Sequence, residues 1–165
     1  MMIVRPAHTS DVKAIGALVD FYAGDGQRLL KKNLVTLYED VQEFVVCTDG
    51  DEIVGCGALH VLWDDLAEVR TVAVASSHTG RGIGSQILTA LLDRARALGV
   101  KRVFCLTFAT AFFTRHGFAE IEGTPVEPEV YAQLLQSYDE GVAEFLGLER
   151  VKPNTLGNRR MLAIL

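Results

Sequence analysis

The chain is 165 residues long, a length typical of one domain, and its 49% hydrophobic and 22% charged residues exclude intrinsic disorder. Its 16 lysines and arginines against 21 aspartates and glutamates give a formal net charge of −5, which argues against a general nucleic-acid binder. An anionic ligand must therefore be held by local basic groups, and we expect a single domain over residues 1–165.

The first half of the chain predicts strands and helices in alternation. Residues 2–5 indicate a strand, and Thr9 or Ser10 can cap the helix whose apolar residues repeat over residues 12–22. The turn Asp49-Gly50-Asp51 joins two strands as a hairpin. The further predicted elements of this half are a helix over residues 28–41 and strands over residues 43–48, 52–62 and 67–74.

The second half predicts a helix between two buried strands. A glycine-rich turn at residues 80–84 leads into a long helix with an apolar stripe, which Gly99 can end. Residues 101–108 are almost wholly apolar, as is typical of a central strand. The order of elements favours a mixed α/β sheet of six or seven strands. The remaining predictions are a short helix over residues 112–116, a helix near residues 127–138 that can extend toward 146, and a strand over residues 159–165.

Location and metal content are predicted from what the sequence lacks. The N-terminus turns polar too early for a signal peptide, and no apolar stretch approaches the roughly 18 residues of a membrane-spanning helix. Cys47, Cys56 and Cys105 lie in apolar runs without metal-type spacing, and the four histidines lack the context of a metal site. We therefore expect reduced buried thiols, no metal, no membrane contact and a cytoplasmic protein.

The strongest signal for a ligand is the glycine-rich turn before the long helix. Glycines let the backbone approach a ligand closely, and the free N–H groups of a first helical turn favour an anion. Arg81 can add a charge-assisted contact. The spacing of Gly80, Gly82 and Gly84 fits neither a Walker A loop nor a dinucleotide fingerprint. The turn predicts a pyrophosphate site, and the alternative is a corner without a ligand.

This turn, together with Phe112-Phe113-Thr114-Arg115-His116-Gly117-Phe118, resembles the GNAT acetyltransferase superfamily. The family signature is [QR]-x-x-G-x-[GA] after the fourth strand; Gly82 and Gly84 match it, and Thr79 stands where Gln or Arg is usual. The resemblance implies the GNAT fold, with a mixed and mostly antiparallel sheet flanked by helices, and acetyl-CoA as co-substrate. It assigns acetyl-CoA binding to Val72, Ala73, Val74, Thr79, Gly80, Arg81, Gly82, Ile83, Gly84 and Ser85.

Four segments resemble the short form of the N-acetylglutamate synthases, a family of amino-acid N-acetyltransferases. This resemblance implies acetylation of the α-amino group of L-glutamate, the first step of arginine biosynthesis, and L-glutamine stays open because it differs by one charge. The short form lacks an amino-acid-kinase domain, so we expect no arginine feedback through one. The segments are L-V-T-L-Y-E-D-V-Q-E-F (34–44), E-V-R-T-V-A-V (68–74), V-F-C-L-T (103–107) and K-P-N…R-M-L (152–162).

Acetyl transfer to an amine needs a base and a donor for the carbonyl oxygen. Residues two apart share one face of a strand, so Glu68, Arg70 and Val72 should line one side unless a bulge intervenes. We predict Glu68 as the base, directly or through water, and its alternative role is to pair with Arg70. The backbone N–H of Val72 or a neighbour is the simplest donor to the carbonyl oxygen.

The general acid and the substrate contacts are less clearly marked. Phe113 stands where many family members have a tyrosine as the general acid, and phenylalanine has no proton to give. The proton for the leaving thiolate then comes from another side chain or from a water, or the thiolate leaves without one. Remote candidates for another donor are Tyr38, Tyr131 and Tyr138. The carboxylates of glutamate require cations, preferably arginine. Strand neighbours face opposite ways, so only one of Arg159 and Arg160 should reach the cleft, and the resemblance favours Arg160, which precedes Met161-Leu162 as a basic residue does in the family. The predicted substrate residues are Lys32 (from the basic group that also holds Arg28 and Lys31), Arg70, Thr107 and Arg160.

Two other functions remain open at this point. The chain can be a GNAT enzyme for another amine, such as glutamine, a polyamine or a protein N-terminus, or an acetyl-CoA sensor without catalysis. The basic group at residues 28–32 speaks against a polyamine. The apolar last strand can complete its own sheet or pair with a second copy, so a homo-oligomer is possible.

Overall fold

One mixed sheet of seven strands forms the centre of the structure, a computed structural model that describes residues 1–24, 33–148 and 158–165. The strands are β1 (Met2–Pro6), β2 (Phe44–Asp49), β3 (Glu52–Trp63), β4 (Leu66–Val74), β5 (Arg102–Thr107), β6 (Phe118–Ile121) and β7 (Arg159–Ile164). They lie in the order β1-β2-β3-β4-β5-β7-β6, and each neighbouring pair is antiparallel except β4 with β5. The predicted fold class is confirmed.

Helices cover the sheet, and their ends follow capping chemistry. α3 lies between Gly82 and Gly99, which take left-handed φ angles of 77° and 87°, as the sequence predicts. α2 begins after Asn33, whose side chain accepts the N–H of Thr36. In the described ranges the helices are α1 (Val12–Gly24), α2 (Leu34–Glu39), α3 (Ile83–Leu98), α4 (Thr110–Arg115), α5 (Pro128–Leu134) and α6 (Glu140–Leu146).

Two predicted helix boundaries are wrong. His8, not Thr9 or Ser10, takes the cap position before the first helical turn, because the Asp11 carboxylate accepts the His8 N–H at 2.7 Å. The helix predicted from residue 127 toward 146 is two helices, because Asp139 starts a new one by capping α6. The part of the predicted 28–41 helix before residue 33 lies outside the described residues.

Three apolar clusters hold the helices on the sheet. α3 packs on one face, and Gly57 permits its close approach, since a Cβ there would lie 2.7 Å from Ile87 Cγ2. α1 and α2 pack on the other face. α5 and α6 cover β5 and β7, where Phe104 and Phe145 meet edge to face at 4.8 Å. The three cysteines are buried free thiols, as predicted.

β4 contains a bulge at Thr71. Its pairing with β3 shifts between Cys56 and Ala58, so that Thr71 and Val72 lie opposite a single residue. Thr71 takes a φ of 59°, a left-handed conformation that β-branched residues rarely adopt. Residues held in such conformations concentrate at functional sites. The bulge therefore points to the second half of β4 as part of a functional site.

The bulge reverses the alternation of side chains along β4. Val69 packs in the cluster beneath α3 and so does Val72, whereas Ala73 packs in the cluster beneath α1. Glu68 and Arg70 alternate with Val69 and so face away from that side of the sheet. The shared face that we predicted for a strand without a bulge is kept by Glu68 and Arg70 and lost by Val72, because the extra residue at 71 turns Val72 to the other face.

The parallel pair β4 and β5 is short. It extends over three residue pairs, from Leu66↔Arg102 to Glu68↔Phe104. Beyond Glu68 the bulged half of β4 and the end of β5 form opposite walls of a cleft.

Candidate active site

A cleft of about 300 Å³ opens where β4 separates from β5. One wall is the bulged part of β4, and the other is the end of β5 with the residues that lead into α4. Tyr22 of α1 and Asn158, just before β7, also line it. Five predicted site residues come together here: Arg70, Val72, Ala73, Val74 and Thr107.

The edge of β4 at Val74 offers backbone groups to the cleft. The N–H of Ala75 donates to the carbonyl of Val54 at 2.8 Å, and Val74 is paired with Gly55. Along an antiparallel strand, residues whose N–H and C=O bond to the partner strand alternate with residues whose N–H and C=O point away from it. Ala75 bonds to β3, so its neighbour Val74 points both groups away from β3. The backbone of Val74 therefore faces the cleft, where an extended amide-containing ligand can pair with it.

Tyr22 holds the carbonyl on that edge. Its hydroxyl donates to the carbonyl oxygen of Val74. Burial, with a smaller contribution from Cys56, raises the pKa of Tyr22, so the hydroxyl keeps its proton. In the sequence, Tyr22 is the last position of the apolar repeat over residues 12–22. The sequence signal for its role is that Tyr22, alone in that apolar repeat, ends in a hydroxyl group that needs a hydrogen-bond partner.

The predicted phosphate loop lies at the N-terminus of α3. Gly80 and Gly82 both take a φ of 77°, and a Cβ at either position would meet open space. The first N–H groups of this 16-residue helix have no partner within the helix, so they are available to an anion. The loop has the backbone shape and the donors that a pyrophosphate requires.

The other predicted loop residues have distinct environments. The side chain of Ile83 is in the core at 1% exposure, so only its backbone can contact a ligand. Ser85 Oγ lies 3.0 Å from His116 Nε2 at the end of α4. Thr79 Oγ1 donates to the carbonyl of Ser76 at 3.3 Å. Arg81 is exposed, and the backbone of Gly84 lies close to the ring of Phe112.

The turn before the phosphate loop is fixed by His78. Its Nε2 lies 3.0 Å from Asp49 Oδ2 at the β2–β3 hairpin, and its Nδ1 lies 2.7 Å from Ser77 Oγ. The hydrogen bond from His78 is the main cause that lowers the pKa of Asp49. The loop therefore starts from a point held to the sheet.

Glu68, Arg70 and Asp139 form a buried charge cluster at the base of the cleft. Arg70 Nη2 donates to Glu68 Oε1 at 2.9 Å, and Arg70 Nη1 donates to Asp139 Oδ1 at 2.7 Å. The Glu68 and Arg70 side chains are 5% and 8% exposed, and that of Asp139 is 20% exposed. The pairing of Glu68 with Arg70 that the sequence offered as an alternative is present.

The two carboxylates of this cluster ionise differently. Burial raises the pKa of Glu68, and the attraction of Arg70 only partly opposes it. Burial also disfavours charge on Asp139, but there Arg70 prevails and lowers the pKa of Asp139. Asp139 therefore holds its negative charge more firmly than Glu68 does. Glu68 is the carboxylate that takes up a proton more readily, as a base must.

Two buried polar atoms on described residues of the cleft lining have no hydrogen-bond partner. They are Nε of Arg70, a donor, and Oδ1 of Asn158, an acceptor. Buried polar groups without partners are rare and each calls for an explanation. A polar ligand that accepts a hydrogen bond from Arg70 and donates one to Asn158 would satisfy both.

Arg160 is engaged away from the cleft. Its guanidinium donates to the carbonyls of Gly123, Glu144 and Phe145. These contacts tie β7 to the end of α6, and Arg160 is not among the described residues that line the cleft. Arg159 is exposed and lies 3.7 Å from Glu120.

The other predicted residues are dispersed. Lys32 lies outside the described residues. Tyr131 donates to the carbonyl of Leu146 at 3.1 Å, which gives it a structural contact. Tyr38 and Tyr138 are exposed, and neither lines the cleft in the part of the chain that is described. Phe113 lines the cleft and has no proton to give.

The described residues contain neither a candidate metal site nor a membrane-spanning helix. In residues 1–24, 33–148 and 158–165, no group of histidine, cysteine, aspartate and glutamate side chains could hold a metal ion. In the same ranges no helix has the length and apolar character needed to cross a membrane.

Comparisons with known proteins identify relatives of the whole chain. Residues 17–118 match the model of the Acetyltransferase (GNAT) family. The chain is 62% identical to the Amino-acid acetyltransferase of Mycobacterium tuberculosis, over 99% of this chain and 94% of that protein. It is 30% identical to the Amino-acid acetyltransferase of Neisseria meningitidis serogroup B over 70% of its length, but covers only 27% of that protein.

Solved structures show the same relationships. The crystal structure of Rv2747 from Mycobacterium tuberculosis, in complex with CoA and NLQ, superposes with a TM-score of 0.95 and 62% identity over 99% of both chains. N-acetylglutamate synthase from Neisseria gonorrhoeae, complexed with coenzyme A and N-acetyl-glutamate, gives a TM-score of 0.78 at 22% identity, over 100% of this chain and 35% of that one. The second likeness concerns the fold alone.

Proposed function

Because this chain belongs to the GNAT acetyltransferase family, we propose that it transfers the acetyl group of acetyl-CoA to the α-amino group of L-glutamate or L-glutamine. The observation that carries the proposal is the cleft between β4 and β5, where a free strand edge faces an unpartnered donor and acceptor. The 62% identity to an amino-acid acetyltransferase over the whole chain supports the same reaction class.

Acetyl-CoA would lie along β4 with its phosphates at α3. Val72, Ala73 and Val74 would follow its pantetheine arm, and the loop from Thr79 to Ser85 would receive its pyrophosphate. The hydroxyl of Tyr22 holds the carbonyl of Val74 in the free protein, and an incoming amide N–H would replace it there. This arrangement directs the thioester toward the end of the cleft that Arg70 lines.

The amino acid would occupy the end of the cleft near Arg70 and Asn158. Its carboxylate can accept from Arg70 Nε, and its amine can donate to Asn158 Oδ1, which pairs both unpartnered atoms. Thr107 lies on the same wall. Lys32 and Arg160 stay predicted contacts for the distal carboxylate, although the present hydrogen bonds of Arg160 would have to change.

Glu68 would act as the general base. Its raised pKa suits a group that must take a proton from an ammonium near neutral pH. Since its carboxylate lies behind Arg70 and is almost fully buried, the proton would reach it through a water. The N–H of Val72 at the bulge would bind the carbonyl oxygen as charge develops there.

The pathway, location and assembly follow from the proposed reaction and are proposals too. Acetylation of glutamate would place the enzyme at the start of arginine biosynthesis, in the cytoplasm, as one domain over residues 1–165. β7 lies between β5 and β6 and so completes its own sheet, which leaves it no free edge for a second copy. A homo-oligomer would therefore form through side chains such as the exposed Ile164. Light scattering of the purified protein would give the number of copies.

The first experiment measures CoA release from acetyl-CoA with L-glutamate, L-glutamine, other amino acids, spermidine and a short peptide. Glu68→Gln should lose at least roughly 100-fold in kcat, the usual contribution of a general base. Glu120→Gln, an exposed carboxylate beside Arg159, is the matched control and should keep wild-type rates. The three free cysteines require a blank without substrate when thiol is detected.

Each outcome of this panel decides between functions. Turnover confined to glutamate or glutamine, and lost in Glu68→Gln, would support the proposal and its base. Turnover with spermidine or the peptide alone would keep the acetyltransferase and reject the amino-acid substrate. Acetyl-CoA binding without turnover of any substrate would indicate a sensor.

A further inference from the structure

The guanidinium of Arg70 is shared between two carboxylates that come from distant parts of the chain. Glu68 lies two residues before it on β4, and Asp139 comes from 69 residues further on, at the start of α6. Asp139 also lies outside the residues 17–118 that match the family model. Asp139 does not line the cleft, whereas Arg70 does, so its effect on the reaction must act through Arg70.

We propose that Asp139 is a positioning residue for acetyl transfer: it anchors the Arg70 guanidinium under α6, so that Glu68 shares this cation instead of holding it alone. This inference rests on the proposed role of Glu68 as the base. Without Asp139 the whole charge of Arg70 would favour the carboxylate form of Glu68, and a carboxylate so stabilised is a weaker base.

The contacts of Asp139 suit an anchor. Its Oδ1 accepts both from Arg70 Nη1 at 2.7 Å and from the N–H of Val142 at 3.0 Å, at the positive end of α6. Arg70 therefore binds a carboxylate whose own charge is already stabilised. Glu68 accepts a hydrogen bond from the other arm of the same guanidinium.

The backbone of α6 also packs closely against the Arg70 guanidinium, at Gly141. A Cβ at Gly141 would lie 2.7 Å from Arg70 Nη1 and 2.5 Å from Nη2. Only glycine leaves room for the planar group at this point of α6. Asp139 and Gly141 together therefore fix where Arg70 lies, one by attraction and the other by contact.

Other titratable or charged side chains also lie near Glu68, and a test of Asp139 must leave them unchanged. His60 lies opposite it on β3, Cys105 approaches it from β5, Glu144 from α6 and Arg160 from β7. His60 Nδ1 in turn lies 2.9 Å from Glu43 Oε2. Replacement of Asp139 alone leaves all of these groups in place.

The test is Asp139→Asn, followed by kcat/KM for the amino acid against pH. Asparagine caps a helix as well as aspartate does, so the variant removes the charge and keeps α6. The acidic limb of the profile, which reports the base in the free enzyme, should move down by about one pH unit. The plateau should fall roughly 3- to 10-fold, a fraction of a general base's contribution.

Two further variants sharpen the result. Asp93→Asn removes an exposed carboxylate that pairs with Arg96 on the surface of α3, and its profile should match the wild type. Gly141→Ala should disturb the guanidinium and shift the same acidic limb. An unmoved limb in Asp139→Asn, whatever its plateau, would overturn the proposal.

A readout without turnover separates this inference from the proposed function. Carbon-13 NMR of the Glu68 carboxyl, assigned with Glu68→Gln, gives its titration in the free protein. If the Glu68 carboxyl titrates at a lower pH in Asp139→Asn than in the wild type, the sharing of Arg70 is supported even if no amino acid is acetylated. An unchanged titration would reject it even if Glu68→Gln proved inactive.

Discussion

Buried carboxylates determine much of this protein's chemistry at the scale of single residues. Glu144 is 9% exposed and lies in α6 beside the apolar cluster around Phe145. Burial first, and then the negative charge of Glu68, raise the pKa of Glu144 to about 7. The neutral acid is the form that such surroundings favour, because an uncompensated charge there would be costly.

The raised pKa predicts a stability that depends on pH. Folded Glu144 binds a proton up to about pH 7, while the unfolded chain releases it near the ordinary carboxyl value of 4.5. The folded state therefore binds more protons between these values, and the contribution of Glu144 to stability is lost as pH rises through 7. Glu144→Gln removes this loss. Between pH 5 and pH 8 the wild type should lose roughly 2 kcal/mol more unfolding free energy than the variant.

Urea unfolding at the two pH values measures this difference. Glu129→Gln, a carboxylate in the first turn of α5, serves as the control and should follow the wild type. Parallel losses in the wild type and in Glu144→Gln would show that Glu144 ionises normally in the folded protein.

Residues of the site could be predicted where the reason was local. Glu68 was predicted from its place on the strand beside Arg70, with which it pairs, whereas Val74, which lines the cleft, was assigned by the resemblance to the GNAT family. The second partner of Arg70 could not be predicted, because Asp139 is 69 residues away and only the fold brings it near. Tyr22 was missed because its ring obeys the apolar pattern of α1 and only its hydroxyl reaches the cleft.

Elements were predicted well where their ends carry a chemical signal. α3 is bounded by two left-handed glycines, and its apolar stripe packs on β3 and β4 as the spacing indicates. The bulge in β4 carries no such signal, because a threonine, not a glycine, takes the left-handed position. Strict alternation therefore put Val72 on the wrong face. Only pairing with β3 shows the extra residue.

The two glycines that bound α3 allow a matched test of the phosphate loop. Gly82→Ala and Gly99→Ala each force alanine into a left-handed conformation, at φ 77° and 87°, and should each cost about 1 kcal/mol in stability. Gly82→Ala should also raise the KM for acetyl-CoA roughly tenfold, the cost of about one charge-assisted hydrogen bond. Its methyl group would project into open space where the pyrophosphate is proposed to lie.

Steady-state kinetics with thermal unfolding separates the two effects. Gly99→Ala should lose the same stability and keep the wild-type KM, because it lies at the far end of the helix. An equal rise of KM in both variants would attribute the effect to general destabilisation and remove the loop from the acetyl-CoA site.

At the scale of the whole molecule, the sheet consists of two halves joined at one weak place. β1 to β4 form an antiparallel half, β5 to β7 form another, and within the described ranges only three parallel pairs connect the two halves. Beyond those pairs the cleft takes the place of a ladder, with α1 on one side of the sheet and α3 on the other. A ligand in the cleft would act as an additional strand between the halves.

That role predicts a local pattern of hydrogen exchange when acetyl-CoA binds. The N–H of Val74 faces the cleft, whereas that of Ala73, in the next pair of the ladder, points to Cys56 on β3. Ligand binding slows all exchange that requires global unfolding. A ligand paired with β4 should add local protection at Val74 alone, so the slowing at Val74 should exceed that at Ala73 at least roughly tenfold.

Exchange followed by NMR, with and without saturating acetyl-CoA and with no amino acid present, resolves the two neighbouring amides. Gly82→Ala at the same acetyl-CoA concentration should show a smaller effect at Val74, because its phosphate loop is disturbed while β4 is intact. Equal slowing at Val74 and Ala73 would mean that the ligand stabilises the fold without pairing with the strand. In that case the free edge of β4 would lose its place in the proposed binding of acetyl-CoA, and the phosphate loop would have to hold the co-substrate without it.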